Sequence, residues 1–84
     1  MTGRTWGRAE RDVAMIEDGD RWPLWPRLPL KRGPNNTELG VLMHAEPSGY
    51  LCFHTNMFED ITKDTPATRY ATADAVVRDG WKVD

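Results

Sequence analysis

LGVLMHAEPSGYLCFH, residues 39–54, carries two short apolar runs on either side of a turn cluster. Leu39 to His44 and Tyr50 to His54 have the length and side chains of strands, and Glu46-Pro47-Ser48-Gly49 between them is a turn signal. The pair is therefore expected as an antiparallel hairpin. Side chains alternate across a strand, so Leu39, Val41 and Met43 share one face of the first strand, and Leu51 and Phe53 share one face of the second. These are the expected core-facing sets.

Working toward the N-terminus, Gly33 to Thr37 contains Gly-Pro and Asn-Asn, both turn signals. Residues 21–32 read RWPLWPRLPLKR. Pro23, Pro26 and Pro29 recur at every third residue, which is the repeat of polyproline II. Each residue before a proline is also pushed toward extended geometry. Residues 22–27 are thus expected as an extended crossing segment, with an edge strand from Leu28 to Arg32, where Pro29 is tolerated. Further upstream, Trp6, Ala9, Val13 and Ile16 recur at spacings of three and four. That spacing predicts a helix from Trp6 to Asp18 with one apolar face. Arg8, Arg11, Asp12, Glu17 and Asp18 fall mostly on the opposite face. Thr5 is the expected N-cap and Gly19 the expected residue just past the end. The acidic end, Glu17-Asp18, opposes the helix dipole, and Arg21 is placed to offset it.

Toward the C-terminus, Asn56 to Ala67 has no sustained period. Met57, Phe58 and Ile61 suit a single helical turn or a loop, ended by Thr65-Pro66. Thr72 reads as the N-cap of a short helix from Ala73 to Asp79, stopped by Gly80. Trp81 and Val83 alternate with Lys82 as in a final strand, which places Trp81 in the core. The fold class expected from these elements is α+β. An N-terminal helix comes first, then a small antiparallel sheet of three to five strands, then a short C-terminal helix leading into a final strand. The helices cover one face of the sheet. Residues 1–84 form a single small domain.

Eleven basic residues stand against thirteen acidic ones, a net charge of −2. That balance gives no global attraction to nucleic acid or to an acidic membrane. No apolar run approaches the length of a membrane span. Met1 to Arg11 is polar and lacks the apolar stretch of a signal peptide. Cys52 is the one cysteine and has no partner for an internal disulfide, which points to a reducing cytoplasm.

Trp25-Pro26-Arg27-Leu28-Pro29-Leu30-Lys31-Arg32, then Glu38-Leu39-Gly40-Val41-Leu42, resembles the opening of small uncharacterised proteins of actinobacterial phages. Tyr70, followed by Asp79-Gly80-Trp81-Lys82-Val83-Asp84, resembles their ending, a short helix with Asp-Gly-Trp and a terminal Asp. The resemblance spans roughly half of the chain and leaves out the N-terminal helix. It implies expression inside a bacterial host and carries no catalytic activity with it.

The residues themselves hold no specific catalytic pattern. Cys52 and His54 lie two apart on one strand, and His44 lies on its neighbour, so these three are the nearest approach to a zinc site. Structural zinc takes four ligands at recognisable spacings, and neither CxxC nor HxxxH is present; no metal, cofactor or catalytic group is expected. Paired carboxylates such as Glu59-Asp60 and Asp18-Asp20 are expected as solvated turn charges, and no glycine-rich phosphate loop occurs. Pro26-Arg27-Leu28-Pro29-Leu30-Lys31 fits the form of an SH3 ligand, a short and degenerate match that core packing explains as well.

The one segment where charge and aromatic surface coincide is residues 21–32. Arg21, Arg27, Lys31 and Arg32 lie there with no acidic residue among them, beside Trp22 and Trp25. These six are the candidate binding residues. The expected function is that of a non-enzymatic phage accessory protein of the host cytoplasm, binding a host or phage protein. The alternative is single-strand nucleic-acid binding, in which bases stack on the tryptophans within a basic groove. The sequence specifies no oligomeric state.

Overall fold

The computed structural model describes residues 8–84. The expected Thr5 cap and the Trp6 position of the helical stripe lie outside the described residues. Helix α1 spans Arg8–Glu17, and strand β1 spans Leu28–Arg32. Strands β2, Glu38–His44, and β3, Tyr50–Phe53, form the hairpin. Strand β4 is Ala67–Tyr70, helix α2 is Ala73–Arg78, and strand β5 is Lys82–Val83. The five strands make one antiparallel sheet in the order β4-β3-β2-β1-β5. The α+β architecture is the one expected from the sequence.

Each connection has a local cause. Between β2 and β3 the Ala45 N–H bonds the Gly49 carbonyl at 2.9 Å, and Gly49 takes a φ of 87°, a left-handed conformation that glycine adopts freely. Between β1 and β2 the chain reverses through a short 3-10 turn at Pro34–Asn36. The Thr72 hydroxyl caps α2 by accepting from the Ala75 N–H at 3.1 Å. Gly80, at φ 94°, ends that helix, and β5 follows directly.

The core lies between the sheet and the helices. Ile16, Trp22, Leu28, Leu30, Leu42, Cys52, Tyr70, Ala73, Val76 and Trp81 form one buried cluster. Its strand members correct the expected face. Leu42 pairs with Cys52 and with Leu28, so the helix-covered face holds Gly40, Leu42 and Cys52. Of the expected set, Val41 is fully buried as expected but on the opposite face, where Met43 is half-buried and Leu39 exposed. Leu51 and Phe53 likewise face away from the helices. Leu39 to Met43 is apolar at every position but Gly40, so alternation alone does not choose a face. What chooses it is Trp81. A Cβ placed on Gly40 would stand 3.0 Å from the Trp81 ring and 2.9 Å from Cys52 Sγ, so the largest core side chain needs the glycine beneath it. Gly40→Ala should therefore lower stability by about 1–3 kcal/mol, the usual effect of overpacking. A shift in the urea midpoint at unchanged slope would measure it.

Three further expectations are corrected. Residues 22–27 do not run extended. Trp25–Pro26 is a cis peptide, and the Arg27 N–H closes a tight turn onto the Leu24 carbonyl at 3.0 Å. β1 is not an edge strand, because β5 pairs along its outer side at Leu30 and Lys31. Pro29 is accommodated there because only its carbonyl is used, accepting from the Asp84 N–H at 3.0 Å. Asp12 is buried rather than solvent-facing: it sits four residues before Ile16, at the border of the apolar stripe, and its carboxylate accepts the Val83 N–H at 3.2 Å. β4, which carries no long apolar run, was not distinguished in the sequence.

Candidate functional site

The last turn of α1 leaves backbone carbonyls without helical partners. Trp22 meets that need. Its indole N–H donates to the Met15 carbonyl at 3.0 Å and is 3.3 Å from the Ile16 carbonyl. This bond pulls Trp22 into the core, where it is 4% exposed. Gly19 is not the left-handed helix stop that was expected. It begins a 3-10 turn, Gly19–Arg21, capped by the Asp18 carboxylate, which accepts the Asp20 N–H at 3.2 Å. The glycine is required for another reason: a Cβ there would lie 2.6 Å from the Trp25 ring.

Trp25, seated on Gly19, is 55% exposed. Its ring centroid is 5.2 Å from that of Trp22 and 5.1 Å from that of His44, the latter edge-on at 85°. His44 in turn meets Trp22 at 5.0 Å and Tyr50 at 5.3 Å, both in edge geometry. Trp25, His44 and Tyr50 thus form an accessible aromatic ridge on a buried Trp22. The hairpin register explains the inclusion of His44 and Tyr50, which pair directly at the closed end of β2 and β3.

Two open hollows flank the ridge. One, of about 520 Å³, is lined by Glu17, Asp18, Gly19, Asp20, Trp22 and Trp25. The other, of about 450 Å³, takes in Glu17, His44, Glu46 and Tyr50 together with the residues that open α2. Glu17 is common to both. Its nearness, after burial itself, is what pushes the Tyr50 phenol above its usual range.

The basic residues of the segment are distributed differently. Arg21 is exposed and Arg27 half-buried, and neither lines a hollow. Lys31 pairs with Asp84 at 3.4 Å. Arg32 binds Glu38 at 2.9 Å and Asp79 at 3.1 Å, and its guanidinium lies 4.2 Å over the Trp81 ring. Arg32 is level with Glu38 at the start of β2, whereas Trp25 touches His44 at its end. Six residue steps along the strand separate those two positions, roughly 20 Å. The six candidate residues are therefore one buried ring, one exposed ring, two cations without ion pairs among the described residues, and two cations engaged at the far end of the sheet. Residues outside the six candidates, Glu17, His44, Glu46 and Tyr50, stand around the exposed ring instead. The signal that could have found the rings among them is the Ala45–Gly49 turn, which fixes His44 opposite Tyr50.

Cys52, His44 and His54 are not gathered. His44 belongs to the ridge, while the His54 imidazole Nε2 is 2.8 Å from the Thr68 hydroxyl and its ring lies 5.9 Å from that of Trp81. Among the described residues no three His, Cys, Asp or Glu side chains are placed to hold a metal ion. Cys52 is fully buried, and burial pushes its thiol from the usual 9.0 up to about 12. A thiol so placed is a poor nucleophile. The unfolded chain releases that proton near pH 9 while the folded chain holds it to about pH 12. Stability is therefore unaffected by this group below pH 9 and falls as pH rises through that window. Cys52→Ala should show a shallower alkaline loss of stability than the parent, read from melts across the window. No described helix is long and apolar enough to cross a membrane.

Comparison with protein-family models, with curated proteins and with solved structures finds no match to the chain.

Proposed function

We propose that this chain is a non-enzymatic accessory protein that acts by binding another protein through the Trp25–His44–Tyr50 ridge. One observation carries the reading. Trp25 is a large ring left 55% exposed, yet packed against Trp22, His44 and the backbone of Gly19. A tryptophan that is both accessible and already ordered is a natural interface anchor, because little conformational freedom remains to be lost on binding. The resemblance to actinobacterial phage proteins supports a partner from the phage or its bacterial host, and the single cysteine supports a reducing cytoplasm.

Single-strand nucleic-acid binding is the second reading, favoured by exposed Trp25 with Arg21 and Arg27 near it in sequence. Against it, Trp22 is buried, and Lys31 and Arg32 are held in ion pairs. Capture from host lysate with and without nuclease separates the two. A protein retained after nuclease treatment is the expected result. Loss of all bound material on nuclease treatment, with binding to oligonucleotides that falls steeply with salt, would put the second reading first.

A further inference from the structure

We infer that the ridge receives a basic segment of the partner protein, with one arginine stacked on Trp25 and a second cationic side chain beside Tyr50. The inference deepens the protein-binding reading and rests on it. The aromatic rings alone would accept any apolar anchor, and the charge around them selects among anchors. Glu17, Asp18 and Asp20 line the hollow beside Trp25, and Glu17 and Glu46 line the hollow beside His44 and Tyr50. None of these four carboxylates is in an ion pair among the described residues; Asp18 is engaged only in capping the turn.

Cations already present do not fill this site. Arg21 and Arg27 line neither hollow. Arg69 donates to the Glu46 and Ser48 carbonyls at 3.1 and 2.9 Å, so it fixes the loop that carries Glu46. It is level with Leu51, and so belongs to the sheet face away from Tyr50. The ridge is thus an aromatic surface inside a net negative field, and the ion pairs among the described residues all lie elsewhere.

An aromatic face attracts a cation through its quadrupole, and tryptophan does so best. Arginine fits better than lysine: its planar guanidinium stacks on the indole and still donates sideways to carboxylates. Glu17, shared by both hollows, would lie under the backbone between two basic side chains. A segment with two neighbouring basic residues can therefore occupy both hollows at once.

The test uses the full chain and an acetylated hexa-arginine peptide, followed through backbone amide and indole N–H resonances. Saturable shifts confined to Trp25, His44, Tyr50 and the Glu17–Asp20 segment are expected. Hexa-lysine should bind roughly three- to fivefold more weakly. Hexa-citrulline, which keeps the shape without the charge, should not bind. Glu17→Gln combined with Asp20→Asn should weaken hexa-arginine by on the order of tenfold, since it removes two charges at contact range. Asp18 is left in place because it caps the turn. Shifts spread over other acidic positions such as Glu59, Asp60 and Asp74, or equal binding by the double variant, would overturn the inference. A captured natural partner distinguishes this failure from failure of the broader reading. Should Trp25→Ala lose that partner while the double variant keeps it, the ridge binds proteins but not through a basic segment. Should both variants keep it, both proposals fall.

Discussion

Trp81→Ala should leave the chain largely unfolded in dilute buffer at room temperature. Trp81 is 1% exposed and occupies the centre of the core. Its indole N–H donates to the Tyr70 hydroxyl at 3.1 Å, and the Tyr70 hydroxyl donates to Asp79 at 2.5 Å. Arg32 lies over its face and is held there by Asp79 and Glu38. Removing the ring empties the space above Gly40, leaves the buried Tyr70 oxygen without its donor, and frees the Arg32 guanidinium from its platform. Large aromatic-to-alanine changes in a core cost about 3–5 kcal/mol, and a domain of this size has little more than that in total. Far-ultraviolet dichroism and thermal melting report the outcome. A cooperative melt near that of the parent would mean that the sheet and helices are held together elsewhere.

Trp22→Ala should have an effect of the same order, about 3–5 kcal/mol, for a partly different reason. Trp22 is buried against Ile16 and also satisfies the last-turn carbonyls of α1. Its loss opens a cavity and unfastens the helix end at once. Trp22→Phe separates the two contributions: it keeps most of the apolar volume and lacks the N–H. That variant should lose about 1–2 kcal/mol, the share of a buried hydrogen bond and a small void. Chemical denaturation of both variants against the parent measures the difference. Equal stability of Trp22→Ala and the parent would contradict the account of how α1 is joined to the sheet.

The contrast between Trp22 and Trp25 also shows how much could be read from the sequence. Short elements with strong local signals were legible: the Thr72 cap, the Gly80 stop, the turn before Tyr50 and the strand Leu28–Arg32 all lie where their residues put them. The sheet face was not legible. Leu39 to Met43 is apolar on both sides, and the face was fixed by a contact between Gly40 and Trp81, distant in sequence. The turn at residues 24–27 was missed because regular proline spacing fits an extended chain as well as a reversal. The candidate site was half legible for the same reason. Composition identified residues 21–32 as the place where tryptophan and charge coincide. The fold then sent Trp22 inward to a helix end and Lys31 and Arg32 to ion pairs at the far end of the sheet. It brought Glu17 and the hairpin residues His44, Glu46 and Tyr50 around Trp25, a grouping made by tertiary contact and so invisible to local spacing.

Trp25, in the proposed function, is held at the surface for binding and is not scaffold. The most direct measurement is the affinity of Trp25→Ala for the partner captured by the parent chain, taken with the variant's melting curve. Trp25 is 55% exposed, so its removal should shift the melt only slightly. An interface anchor of this kind carries about 2 kcal/mol or more, so the affinity should fall about thirtyfold or further. A variant that melts like the parent and binds the partner equally well would contradict the claim.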